Sequence, residues 1–340
     1  MGSRRDLMIH AGLALAAAAF PTVECAAAGS GKPVLSGSFL QLLSDSRGWR
    51  SEQWKELFAG LRQLQLATLV LQWVASDDVN FYAPPTPGAQ AVLPTLLEMA
   101  DSAGIRVLIG VIQDTDYWQK IAQSGDQVGA YLADREARLV KVIDDVLPLV
   151  SAHRSFGGWF MGEEIDDVNW RRPGASATLY SYVHRLSSYL RLVTPSAPIT
   201  ISGFCNAQGT ADQLQQFWQD LLQAAPGVGI VLFQDGVGVH KLTLQALPGY
   251  LAAMRSATDS TKRQLWSVVE VFEQTGGPPM NSGPFEAVPA SFTRVLSQMK
   301  IGAQYAAKLI AFAAPNYMLP ATGQAPPPLL NEYLRYLATP

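Results

Sequence analysis

The chain has 340 residues, of which 48% are hydrophobic and 16% charged, with Lys+Arg 25 against Asp+Glu 28 and a net charge of -3. The charged share falls well below the usual ~25%, which excludes a disordered chain and a coiled coil. The balanced charge carries no basic footprint, so no nucleic-acid partner is expected. Two cysteines and four histidines leave little material for a metal centre, and neither a metal nor a cofactor is expected.

Residues 1–28 read as a signal peptide. Arg4 and Arg5 form a positive start, an apolar run from Leu7 to Phe20 follows, and Ala26-Ala27-Ala28 offers a small-residue cleavage site. Ser3-Arg4-Arg5-Asp6-Leu7-Met8 resembles a twin-arginine export signal, with an ordinary secretory signal as the alternative. Cleavage after Ala28 would leave Cys205 without a disulfide partner. Residues 29–34 are expected to be a flexible junction, and residues 35–340 one domain. No long apolar stretch recurs downstream, so the expectation is a periplasmic or secreted protein without a transmembrane anchor.

Short apolar runs then alternate with longer amphipathic ones. Strands are expected at Leu35–Gln41, Ala67–Trp73, Ile105–Ile112, Gly157–Gly162, Pro198–Gly203, Gly229–Phe233, Gln264–Glu270 and Lys308–Phe312. Helices are expected at Ser51–Gln65, Ala89–Ala103 with Gly104 to end it, Asp116 to Ala152 in two pieces, and Ala175–Val193. Further helices follow at Asp212–Ala225, Leu242–Ala257, Ser291–Gln304 and Pro328–Leu337. Most strands are continuous Val, Ile and Leu runs, the pattern of parallel strands buried on both faces. Eight strand–helix units predict a single-domain α/β fold, a (β/α)8 TIM barrel. An open doubly wound sheet is the rival, but Leu42-Leu43-Ser44-Asp45 lacks the glycine fingerprint that usually follows its first strand. Pro/Gly-rich stretches around Tyr82–Gly88 and Thr275–Pro289 follow strand ends and suggest elaborated loops.

A barrel of this kind carries its site at the C-terminal strand ends. Two of those ends hold acids. One is Gly162-Glu163-Glu164-Ile165-Asp166-Asp167 at strand four, and the other is Val268-Val269-Glu270-Val271-Phe272-Glu273 at strand seven. An acid closing an apolar strand is costly and needs a reason. Facing carboxyl groups suit glycosidic bond cleavage, one as proton donor and one as nucleophile or base. Side chains alternate along a strand, so Trp266, Val268 and Glu270 share the face that turns inward. Glu163 and Glu164 point to opposite sides, and only one of them can be the donor. Asp166 and Asp167 read as turn caps, and Glu273 as a solvated loop charge.

Glutamates at the ends of strands four and seven resemble those of the clan A glycoside hydrolases. The resemblance implies Glu164 as acid/base, Glu270 as nucleophile, and Glu163 in a position where that clan has an Asn on the sugar 2-hydroxyl. The pieces Gly158-Trp159, Glu164 to Asp167, Gln234-Asp235-Gly236-Val237-Gly238 and Trp266 to Phe272 are also similar to an uncharacterised bacterial family of exported, glycosidase-like TIM barrels.

Other strand ends are polar or aromatic in a way that suits sugar hydroxyls and ring faces. The expected substrate contacts are Gln41, Gln72, Trp73, Asp114, Trp118, Glu163, Asn206, Gln234, Asp235 and Tyr317. Tyr82, Trp170 and Phe204 are further aromatic candidates. Asp235 precedes a glycine and serves either as a turn residue or as a group that orients a carboxylate or binds substrate. Cys205 has no base beside it and reads as a buried structural thiol. The expected activity is hydrolysis of an oligosaccharide or polysaccharide. The alternative is a catalytically silent glycan-binding barrel in an envelope or polysaccharide-export assembly, motivated by Glu163 in place of Asn.

Overall fold

Eight short strands whose residues are buried on both faces can satisfy their backbones only by pairing with one another. In the computed structural model they do so around a closed ring. The structure describes residues 31–339 apart from Asp78, Pro85, Pro87, Gly88, Pro279 and residues 321–323. The expected signal peptide, with Cys25, lies outside the described residues. The barrel strands are β1 (Gly37–Leu40), β2 (Thr68–Leu71), β3 (Arg106–Gly110), β4 (Phe156–Asp166), β5 (Ile199–Phe204), β6 (Ile230–Gln234), β7 (Gln264–Glu270) and β8 (Lys308–Phe312). Each pairs in parallel with its chain neighbours, and β1 pairs with β8 to close the barrel.

The period of two separates two cores. Phe39, Val70, Leu108, Phe160, Leu232, Trp266, Val268 and Ile310 turn inward and pack on one another. Their neighbours Leu40, Leu69, Ile109, Trp159, Val231, Val269 and Leu309 turn outward against the helices. The helical layer is α1 (Ser51–Gln63), α2 (Val92–Ala103), α3 (Gly125–Ser151), α4 (Ala175–Val193), α5 (Ala211–Ala224), α6 (Leu247–Ser260), α7 (Phe292–Gly302) and α8 (Pro328–Ala338). The expected (β/α)8 barrel is therefore the observed one. Strands seven and eight have the expected bounds, and most other elements differ by a few residues.

Three departures matter for the site. Strand β4 runs to Asp166 instead of stopping at Gly162, because a bulge shifts its register on β5 from Met161 opposite Ile201 to Glu164 opposite Ser202. The loop after β7 folds into an antiparallel hairpin, Phe272–Gly276 with Glu286–Pro289. The loop after β2 adds two-residue strands at Ala75–Ser76 and Val79–Asn80, which join Ile112–Gln113.

The expected junction is tied to the last helix from residue 32 onward. Lys32 Nζ donates to Thr339 O at 2.7 Å, the Tyr336 hydroxyl donates to Pro33 O at 2.9 Å, and Leu35 N donates to the Tyr333 hydroxyl at 2.9 Å. Among the described residues no helix is long and apolar enough to cross a membrane.

Candidate active site

The inward face of β4 continues from Phe160 through Gly162 to Glu164, and the inward face of β7 continues from Val268 to Glu270. The inward face of β6 ends in Gln234, whose Nε2 donates to Glu164 Oε1 at 3.1 Å. Glu164 is half-buried, and the Tyr117 hydroxyl donates to its carbonyl oxygen at 3.2 Å. Burial pushes its carboxyl above the ordinary carboxylate range, opposed by the Gln234 amide and the Lys241 ammonium.

Glu270 is only 2% exposed. Its Oε2 accepts from Val239 N at 2.9 Å. Burial, reinforced by the charge of Asp235, pushes its carboxyl up to about 8, while the Val239 and Gly238 amides and Lys241 oppose the rise. Gly238 permits this contact. A Cβ there would lie 2.4 Å from Phe272 O and 2.9 Å from Glu270 Cβ.

Asp235 lies beneath Glu270. It accepts from Val237 N at 3.2 Å, from Glu270 N at 3.5 Å and from Gln298 Nε2 at 2.6 Å. Gln298 also donates to Glu270 O at 3.3 Å and accepts from Arg294 Nη1 at 3.0 Å. Burial pushes the Asp235 carboxyl up to about 6, opposed by the Val237 amide, Gln298 and Arg294. The bond from Val237 N is that of a turn residue, one of the roles open to Asp235, and the bond from Glu270 N ties the same carboxyl to the Glu270 backbone. As an expected substrate contact it is corrected, because it is 1% exposed and directed between β6, β7 and α7.

Lys241 is the group that sequence reasoning missed. Gly236 takes a left-handed φ of 64°, and its carbonyl accepts from Lys241 N at 2.9 Å and Leu242 N at 3.0 Å. That turn brings the Lys241 ammonium 3.5 Å from the centre of the Phe204 ring. Burial lowers the pKa of Lys241, while Glu164, Glu270, Asp166 and Asp167 raise it, so both candidate catalytic acids act on one ammonium. A cleft of about 250 Å³ opens here, walled by Trp118, Asn169, Phe204, Asn206, Gln208 and Lys241. A lysine in a loop has no periodic pattern around it, so its direction is invisible before folding. The Asp235-Gly236 turn was the available signal.

The remaining expected contacts divide. Gln41 Nε2 donates to Gln72 Oε1 at 2.9 Å, so these two meet at the ends of β1 and β2. Trp118, 41% exposed, and Asn206 line the cleft. Tyr317 is half-buried with its ring 5.2 Å from that of Phe272. Three others turn away. Trp73 is buried in the outer core and donates to Leu42 O at 2.7 Å, because it shares the outward face of Leu69 and Leu71. Asp114 accepts from Lys120 Nζ at 3.1 Å and from the Tyr131 hydroxyl at 3.0 Å, which ties the β3 loop to helices. Glu163, 2% exposed, points outward at the bulge and accepts from Arg135 Nε at 2.8 Å and from the Tyr182 hydroxyl. It is a buried ion-pair partner and has no access to a sugar 2-hydroxyl.

Trp170 is buried in the outer core, and the Tyr82 hydroxyl donates to Asp145 at 3.4 Å on the exterior. Asp166 accepts from Val168 N at 2.8 Å and Asn169 N at 2.7 Å, as a turn cap does. Asp167 accepts from Asn206 N at 2.8 Å and so clamps the β5 loop. Glu273 is 36% exposed and bridges His240 at 3.2 Å and Arg294 at 3.1 Å, a fuller engagement than a solvated loop charge. Cys205 is buried, with its thiol pushed up to about 12 mainly by burial.

The closed (β/α)8 barrel thus carries inward glutamates near the end of β4 and at the end of β7. The chain belongs to the family described as "Domain of unknown function (DUF4434)", which matches residues 35–324. It is 30% identical over 208 residues to the uncharacterized protein YbcH of Escherichia coli K12, a match covering 59% of this chain and 64% of that protein, so the chain spans less than two thirds of this relative. Its fold is similar to that of a Bacteroides thetaiotaomicron protein described as a "putative alpha-L-fucosidase" (TM-score 0.70, 18% identity, 90% of this chain and 95% of that one). It is also similar to the endo-beta-1,4-mannanase of Thermotoga petrophila (TM-score 0.59, 11% identity, 92% and 78%). At these identities the likeness concerns the fold.

Proposed function

We propose that the protein is an exported glycoside hydrolase of the periplasm or cell exterior, with Glu164 as proton donor and Glu270 as nucleophile or base. The observation that carries this reading is the pair of inward carboxyls, Glu164 near the end of β4 and Glu270 at the end of β7, with Gln234 donating to the first and Val239 N to the second; burial makes both harder to ionise. Glu164 would protonate the glycosidic oxygen as its bond to the anomeric carbon breaks. Glu270, once ionised, would attack that carbon or take a proton from the attacking water. Gln234 orients Glu164, while the Val239 amide and Asp235 orient Glu270. Reducing-end release from a panel of polysaccharides tests the reading. Wild type should cleave at least one member, and Glu164→Gln and Glu270→Gln should each lose at least a hundredfold in rate. Full activity in both variants would refute the assignment.

A second reading is a silent glycan-binding barrel. The observation that favours it is Glu163, which is consumed by Arg135 and Tyr182. The position corresponding to the clan A Asn therefore offers nothing to a sugar 2-hydroxyl. Calorimetric binding of an oligosaccharide without any reducing-end release would select this reading.

A further inference from the structure

Glu163 is held from both sides of β4. Arg135 Nε on α3 donates to its Oε1 at 2.8 Å, and the Tyr182 hydroxyl on α4 donates to the same oxygen. Arg135 Nη2 also donates to Ile112 O at 2.9 Å, so one guanidinium ties the loop after β3 to β4. Arg135 and Glu163 are 3% and 2% exposed. Desolvating two charges this deeply can cost more than their attraction returns, and apolar residues of similar volume are often as stable in such a place. Stability alone therefore gives little reason for an ion pair here. Its position on the strand supplies one. Met161 stands opposite Ile201 and Glu164 opposite Ser202, so Gly162 and Glu163 are two residues of β4 without counterparts on β5. A bulge beside a site re-aims the side chains that follow it.

Here the shift is two residues, which leaves the face of Glu164 unchanged and alters its depth. With a regular register Glu164 would stand opposite Phe204, at the wall of the cleft. With the bulge it stands opposite Ser202, which in turn pairs with Leu232 of the inner core. There the Gln234 amide reaches its Oε1 at 3.1 Å, and the Tyr117 hydroxyl reaches its carbonyl oxygen at 3.2 Å. The Arg135 guanidinium lies 5.9 Å from the centre of the Tyr117 ring, so one cation borders both anchors of the bulge. We propose that Arg135, Glu163 and Tyr182 are positioning residues that anchor the bulge of β4 and thereby set the depth of Glu164 in the barrel. The catalytic consequence rests on the reading of Glu164 as proton donor. A donor two residues nearer the mouth would leave Gln234 and face water.

Carbon-13 NMR titration of the full-length protein, labelled at glutamate carboxyls, reads that depth through the Glu164 midpoint. Burial raises this midpoint in wild type, opposed by Gln234 and Lys241 and reinforced by Asp166. The Glu164 signal is the one absent from Glu164→Gln. The decisive variant combines Arg135→Met with Glu163→Met, which removes both charges and leaves neither buried alone. Its Glu164 midpoint should fall by at least about half a pH unit as the carboxyl moves toward solvent. A smaller fall, no change or a rise overturns the proposal. If the double variant does not fold, Tyr182→Phe decides, since it removes one hydroxyl and keeps the ring. A Glu164 midpoint that falls in Tyr182→Phe supports the proposal, and one that stays or rises overturns it. On any glycan that wild type cleaves, the double variant should lose at least about tenfold in kcat, with KM within about threefold. The hydrolase reading fails separately. Wild type that cleaves no glycan removes that reading, while the titration still decides the depth of Glu164. Equal cleavage by wild type and double variant overturns the positioning and leaves the donor assignment standing.

Discussion

Replacing Asp235 with Asn removes a buried negative charge beside Glu270 with almost no change in shape. The consequence can be read on Glu270 without knowing any substrate. Asp235 Oδ1 lies 3.5 Å from the Glu270 backbone nitrogen. Two unit charges roughly 6 Å apart at an effective dielectric of about 20 repel by about 3 kcal/mol, or about two pH units. Relaxation reduces that figure, so the Glu270 midpoint should fall from about 8 by one to two pH units. The assay is a carbon-13 NMR titration of protein labelled at glutamate carboxyls, with the Glu270 signal identified by its absence in Glu270→Gln. A second readout is stability. The folded protein keeps a Glu270 proton that the unfolded chain releases near pH 4.5, so this contribution is complete below that pH and is lost as pH rises through about 8. In Asp235→Asn the loss should end at a lower pH, on top of a uniform cost of about 1–3 kcal/mol for disturbing the 2.6 Å bond from Gln298. A Glu270 midpoint that stays in place, or rises, would refute the electrostatic coupling.

Three further outcomes follow from the same geometry. Glu163→Gln leaves Arg135 buried without its counter-charge and should cost about 3–5 kcal/mol, seen as a melting temperature lower by roughly 10 °C. The Cys205 thiol, pushed up to about 12, should stay inert to Ellman's reagent at pH 8 until the protein is unfolded. Trp118→Ala should weaken oligosaccharide binding about tenfold, or about 1.4 kcal/mol, while differential scanning calorimetry detects little change, because the ring is 41% exposed.

The barrel was legible in the sequence because continuous Val, Ile and Leu runs separated by amphipathic stretches leave few ways to bury both faces. The alternation Trp266, Val268, Glu270 was also enough to turn Glu270 inward. It separated Glu163 from Glu164 as well, although not which of them remains free for a substrate. That depended on Arg135 and Tyr182, which reach Glu163 from the two helices that flank β4 in the chain. Trp73 and Asp114 were misplaced for a related reason. A run apolar on both faces carries no mark of which face is inner, and the partners of Asp114 sit on helices. Lys241 depends on a turn conformation, and only the folded backbone reveals that its ammonium meets Phe204.

The clasp between residues 32–35 and α8 sets the order in which this molecule can be completed. The contacts from Lys32 to Thr339 and from Leu35 to Tyr333 span nearly the whole chain, and β1 finds its second neighbour only when β8 arrives. A nascent chain that still lacks β8 is an open sheet with two unpaired edges, prone to pairing with other chains. Barrel closure is thus a late, long-range event in folding. Truncation before β8, which removes the closing strand and α8 together, should leave a chain that aggregates during synthesis, even though no residue of the cleft has been touched.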